Sequence, residues 1–176
     1  VYGGLIKNPL MTKDTFALTV CHELGHILGG KPKKAILFQT YDENFWASAE
    51  GQADYFASSK CMRRYLAGKR FEQRKIPVGL TEICGEEHTC IRIGLAAFNA
   101  IRINQIKEKD YSIISFATPS SKVALSTNLF TYPDFQCRLD NFMAGALCPI
   151  NPTKDEYCSK ENALESFARS ACWFKD

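Results

Sequence analysis

The sequence predicts a mainly helical domain with a small sheet edge at its N-terminus. Three observations lead there: apolar residues recur at helical spacing, cap and stop residues bracket those stretches, and the stretches are alanine-rich and free of proline. With 176 residues, 45% of them hydrophobic, the chain can bury one ordinary core, and a single domain spanning 1–176 is expected.

In chain order, Val1–Ile6 reads as the end of an edge strand. Thr12 caps a helix that runs to about Leu28 and stops at Gly29-Gly30. A loop with Pro32 and Lys33-Lys34 leads to a second helix, which contains Trp46–Ala57, has Asp42 or Asn44 as its start signal, and ends near Gly68. A third spans Cys90 to about Lys109, with Ile91, Leu95, Phe98 and Ile101 or Ile103 on an apolar stripe. Asp110–Asn128 is polar and irregular, with a turn at Pro119-Ser120-Ser121. Asp134 caps a helix through about Leu147, and the loop-rich tail carries a short helix near Asn162–Ala171. Trp46 and Trp173 are expected in the core or on its rim.

The first of these helices carries chemistry. In Cys21-His22-Glu23-Leu24-Gly25-His26 two histidines stand four apart, so both rings project from one face and can share one metal ion. Glu23 lies about 100° round the helix from His22. There a carboxylate can take a proton from a metal-activated water. This is the HExxH pattern of zinc peptidases. A catalytic zinc takes three protein ligands and keeps a fourth position open. Glu50 in Glu50-Gly51-Gln52-Ala53-Asp54 is the candidate third ligand, in alanine-rich surroundings that favour close packing. Asp54, one turn later, suits an acceptor for the second ring N–H of a ligating histidine, His22 first. Only three histidines occur in the chain; the third, His88, falls in a loop between two cysteines and reads as a surface residue.

HELGH followed by EGQAD resembles the gluzincin metallopeptidases, whose pattern is HExxH then ExxxD, and within them the Ste24/HtpX-type peptidases. The resemblance implies a zincin-like α+β metallopeptidase domain with Zn2+ on His22, His26 and Glu50. That family often carries a Thr-His-Pro motif with an arginine five residues after the proline. This chain has Thr131-Tyr132-Pro133 and Arg138, with tyrosine in place of histidine. The resemblance implies that Tyr132 takes over oxyanion stabilisation, since a phenol can donate a hydrogen bond; packing on a turn is its other reading. Arg138 is left between a buried ion-pair partner and a substrate contact. Pro77–Thr127 and the tail after Cys148 have no clear counterpart in the family.

Composition narrows the setting. The net charge of +3 is mild. The basic run Lys60, Arg63, Arg64, Lys69, Arg70, Arg74, Lys75 reads as a solvated helix end. No nucleic-acid partner is expected, because no binding module accompanies it; peripheral contact with an anionic membrane surface stays open. No apolar run approaches the roughly 20 residues needed to span a bilayer. The chain opens directly on Val-Tyr-Gly-Gly, so an upstream portion with a targeting signal is expected. Eight cysteines without CxxC spacing read as disulfides of an exported protein, periplasmic or extracellular. Cys84 and Cys90 can meet locally. Cys137 and Cys148 on one straight helix would be about 16 Å apart, too far to bond, which leaves Cys148 to Cys158, Cys172 or something further away. Cys21 is expected to be structural rather than a ligand.

These observations converge on a zinc endopeptidase with a polypeptide substrate and Glu23 as general base. A chaperone or scaffold of the cell envelope, built on the same fold and cutting little, is the alternative; an inactive structural domain would not need Glu23.

Overall fold

The computed structural model describes residues 3–35, 46–70, 75–148 and 169–175. The expected sheet edge is not formed. Gly3–Ile6 closes a single helical turn, α1. No strand occurs among the described residues, whose one strand-like pairing is an isolated antiparallel bridge between Lys33 and Ser48. The fold is therefore essentially all-helical rather than α+β. The physical reason is that an edge needs a neighbour. No described segment pairs with 3–6, so its backbone groups are satisfied locally.

α2 runs from Lys13 to Leu28, and the Thr12 hydroxyl accepts the Thr15 backbone N–H at its start. Gly29 follows in helical geometry and Gly30 turns the chain with φ of 78°. The second helical stretch comprises α3 (Glu50–Phe56), a π-helical turn (Ala57–Cys61) and α4 (Met62–Leu66). It begins at Ala49 without a side-chain cap; Asp42 and Asn44 lie outside the described residues. α5 (Leu80–Cys84), which no periodicity announced, precedes α6 (His88–Glu108). α6 starts earlier than its apolar stripe because the Glu87 carboxylate accepts the backbone N–H groups of Thr89 and Cys90. His88 is thus the first helical residue, and it is exposed. α7 (Phe135–Leu147) opens on Asp134, whose carboxylate accepts the Cys137 N–H.

α2 packs against α3 and α6, and α7 packs against α6, α3 and the π-helical turn. The core between them collects Leu18, Met62, Leu80, Ile93, Ile101, Leu139 and Phe142. Asp14 on α2 pairs with Arg92 on α6 through two 2.9 Å contacts. Lys60, expected on a solvated helix end, is buried. Trp173 is enclosed and lies over Gly51, where a Cβ would sit 2.3 Å from its ring. Trp46, expected on the core or its rim, is instead 65% exposed. The short helix expected near Asn162–Ala171 falls outside the described residues except for 169–171, which are not helical. None of the described helices is long and apolar enough to cross a membrane.

Disulfides join Cys21 to Cys61, Cys84 to Cys90 and Cys137 to Cys172. Cys148 is also disulfide-bonded, to a partner outside the described residues. The first bridge fastens α2, beside His22, to the end of the π-helical turn. The third ties α7 to the segment that carries Trp173.

Candidate metal centre

The site forms where α2 crosses the start of α3. Gly25 makes the crossing close: a Cβ there would meet the Ala53 carbonyl oxygen at 2.7 Å and its Cα at 2.8 Å. This approach brings Glu50 under the two rings on the next turns of α2. His22 Nε2 and His26 Nε2 lie 3.3 and 3.4 Å from the same oxygen, Glu50 Oε2. All three side chains are largely buried.

The second nitrogen of each ring is held from behind. His22 Nδ1 is 2.7 Å from Asp54 Oδ1, and His26 Nδ1 is 2.9 Å from the Ser48 carbonyl oxygen. With Nδ1–H donated to these acceptors, each Nε2 presents a lone pair to the common point. Two buried atoms at that point, His22 Nε2 and Glu50 Oε2, have no hydrogen-bond partner. Unpartnered polar atoms are costly inside a protein, and a cation between them would satisfy both. Both nitrogen-to-carboxylate distances suit such an ion, since bonds of 2.0–2.1 Å at tetrahedral angles put ligand atoms about 3.3–3.4 Å apart, and all three ligand atoms lie within 4.8 Å of one another. The cluster could therefore hold a divalent metal ion.

The electrostatics agree with a site built for positive charge. Burial opposes ionisation of Glu50, but the adjacent His22 and His26 rings and the Lys34 ammonium hold its carboxyl well below the usual range. Burial likewise opposes charge on Asp54, and Arg138 then His22 overcome it, so Asp54 is ionised. His22 is disfavoured as a cation by burial, yet Asp54 raises it to about 9 without metal.

Arg138 is a buried ion-pair partner: Nε and Nη2 each donate to Asp54 over 2.8 Å. Its guanidinium also lies 4.5 Å from the centre of the Tyr132 ring. Tyr132 is half-exposed and stacks beside His22, centroids 6.2 Å apart at 25°. Partial burial and the negative charge of the neighbouring Glu50 carboxylate push its phenol up to about 12. Glu23 sits on the exposed flank of α2 and makes no hydrogen bond or ion pair among the described residues. His88 and Cys21 are not in the cluster.

Two contacts escaped sequence reasoning. Lys34 Nζ is 2.5 Å from Glu50 Oε1, and the Ser48 carbonyl orients His26. The second has no side-chain signature at all. The first depends on how 31–35 folds back on 46–49, which motif spacing does not encode. Neither known protein families, nor curated proteins, nor solved structures contain a match to this chain. The likeness to the Ste24/HtpX-type peptidases thus rests on the residues alone.

Proposed function

We propose that residues 1–176 form one domain of an exported zinc endopeptidase. The observation that carries this reading is the gathering of His22 Nε2, His26 Nε2 and Glu50 Oε2 within 4.8 Å of one another, with Oε2 at 3.3 and 3.4 Å from the two nitrogens. Two imidazoles and one carboxylate are a donor set of catalytic zinc sites, which leave a position open. A zinc ion there supplies a Lewis acid that makes water nucleophilic near neutral pH and polarises a carbonyl.

The chain's own residues do the rest. Glu23, next to a ligand but not in the cluster, accepts the proton of the attacking water on a carboxylate oxygen and returns it to the departing amine. Asp54 keeps the proton of His22 on Nδ1, so that Nε2 stays a donor to the ion. The Tyr132 hydroxyl, beside His22, donates to the oxygen of the scissile carbonyl as charge builds there. Its half-exposed position makes it accessible to a substrate from solvent. The disulfides fit an oxidising compartment, periplasmic or extracellular.

A second reading is an envelope chaperone that holds unfolded chains and cuts little. It is favoured by apolar side chains exposed on α2, among them Ile27 at 60% and Leu28 at 59%. Glu23→Gln separates the two. A peptidase keeps its metal and loses cleavage of a broad peptide mixture, whereas holding activity survives. Undiminished cleavage by that variant contradicts the mechanism.

A further inference from the structure

We infer that Lys34 is a positioning residue that confines Glu50 to one-oxygen ligation of the metal; the inference rests on the metal-site reading above. A carboxylate on a divalent ion can bind through one oxygen or both. With both, it fills a coordination position that a hydrolytic site needs open. In this protein the two oxygens of Glu50 have different partners. Oε2 faces the imidazoles at 3.3 and 3.4 Å. Oε1 accepts a charge-assisted hydrogen bond from Lys34 Nζ at 2.5 Å. Turning Oε1 to the metal would draw its charge and lone pairs away from Lys34 and weaken the bond to a partly buried ammonium, whose one ion-pair partner among the described residues is Glu50.

The backbone fixes where Lys34 stands. Residues 31–35 run antiparallel beside 46–49: Lys34 N–H donates to the Ala47 carbonyl over 2.8 Å, and Ala49 N–H donates to the Pro32 carbonyl over 2.9 Å. Ser48 N–H in turn donates to the His26 carbonyl over 2.8 Å, so the segment is anchored to the end of α2. Ala35 N–H reaches the Leu129 carbonyl at 3.0 Å. Lys34 is thus anchored through its backbone beside Glu50, and its ammonium meets the oxygen that the histidines do not use. Its long stem would be a poor restraint in solution; the paired backbone makes it an effective one.

The test compares the wild-type protein with Lys34→Met and Lys34→Arg, each loaded with zinc for X-ray absorption and with cobalt for visible spectroscopy. Wild type and Lys34→Arg should show four light atoms around the metal and an intense four-coordinate cobalt band. Lys34→Met, which keeps the stem but loses the donor, should gain a fifth, longer oxygen and lose band intensity. Five light atoms in the wild type, or identical first shells in wild type and Lys34→Met, would overturn the inference while leaving the metal site intact. A wild-type protein that takes up no metal overturns the metal-site reading itself, and this inference with it.

Discussion

Arg138 and Asp54 form a two-point ion pair in which both side chains are buried, and the same carboxylate orients His22. One guanidinium therefore anchors α7 to α3 and, through Asp54, sets the ring that faces Glu50. Arg138→Met should cost about 3–5 kcal/mol of stability, because it leaves an uncompensated buried carboxylate. Metal affinity should also fall about tenfold or more as His22 loses its orienter. Denaturant unfolding and metal titration read the two effects; a variant with wild-type values in both would show the pair to be incidental.

Gly25→Ala tests the helix crossing. A methyl at 2.7 Å from the Ala53 carbonyl oxygen must push α2 and α3 apart. The expected cost is about 1–3 kcal/mol, with metal affinity reduced because Glu50 recedes from both rings. Unchanged thermal unfolding and metal binding would mean that the two helices do not cross so closely.

The pH response of the metal-free protein follows from His22, whose folded-state value lies near 9 against 6.5. Between these values the folded protein holds a proton that the unfolded chain has released. The stabilisation is therefore complete below about pH 6.5 and is lost as pH rises through about 9. Metal needs the neutral ring, so affinity should climb over the same window. Thermal unfolding with and without zinc across this range checks both signs. A metal-free protein that grows more stable toward pH 9 contradicts the assignment.

The Cys21–Cys61 bridge closes a loop with a sequence separation of 40. Replacing both cysteines by alanine should cost about 2–5 kcal/mol. Since Cys21 precedes His22, metal should also be lost at lower chelator concentrations. Urea unfolding that matches the wild type would show the bridge to be dispensable.

The parts of this fold legible in the sequence are those written locally. Thr12 and Asp134 each cap a helix with a side chain three residues from the amide it accepts, and His22 and His26 share a face by helical period alone. Glu50 and Asp54 were equally visible as a one-turn pair. Contacts set by chain path were not. Lys34 and the Ser48 carbonyl reach the site through backbone pairing between 31–35 and 46–49. Arg138 comes from α7, 84 positions after Asp54 in sequence. The edge strand expected at Val1–Ile6 is replaced over 3–6 by a helical turn, because a short segment cannot itself supply the neighbour that a strand requires. The spacing of Cys84 and Cys90 allowed their local bridge, whereas Cys21–Cys61 and Cys137–Cys172 needed the packing of α2 and α7.

Elemental analysis of the purified chain beside Glu50→Ala, after equilibration with zinc and removal of excess, tests the central claim most directly. One zinc per chain in the wild type, with the Glu50→Ala protein folded but stripped of most of it, is the predicted result. A wild-type chain that carries no metal, or a Glu50→Ala chain that retains one zinc as tightly, would contradict it.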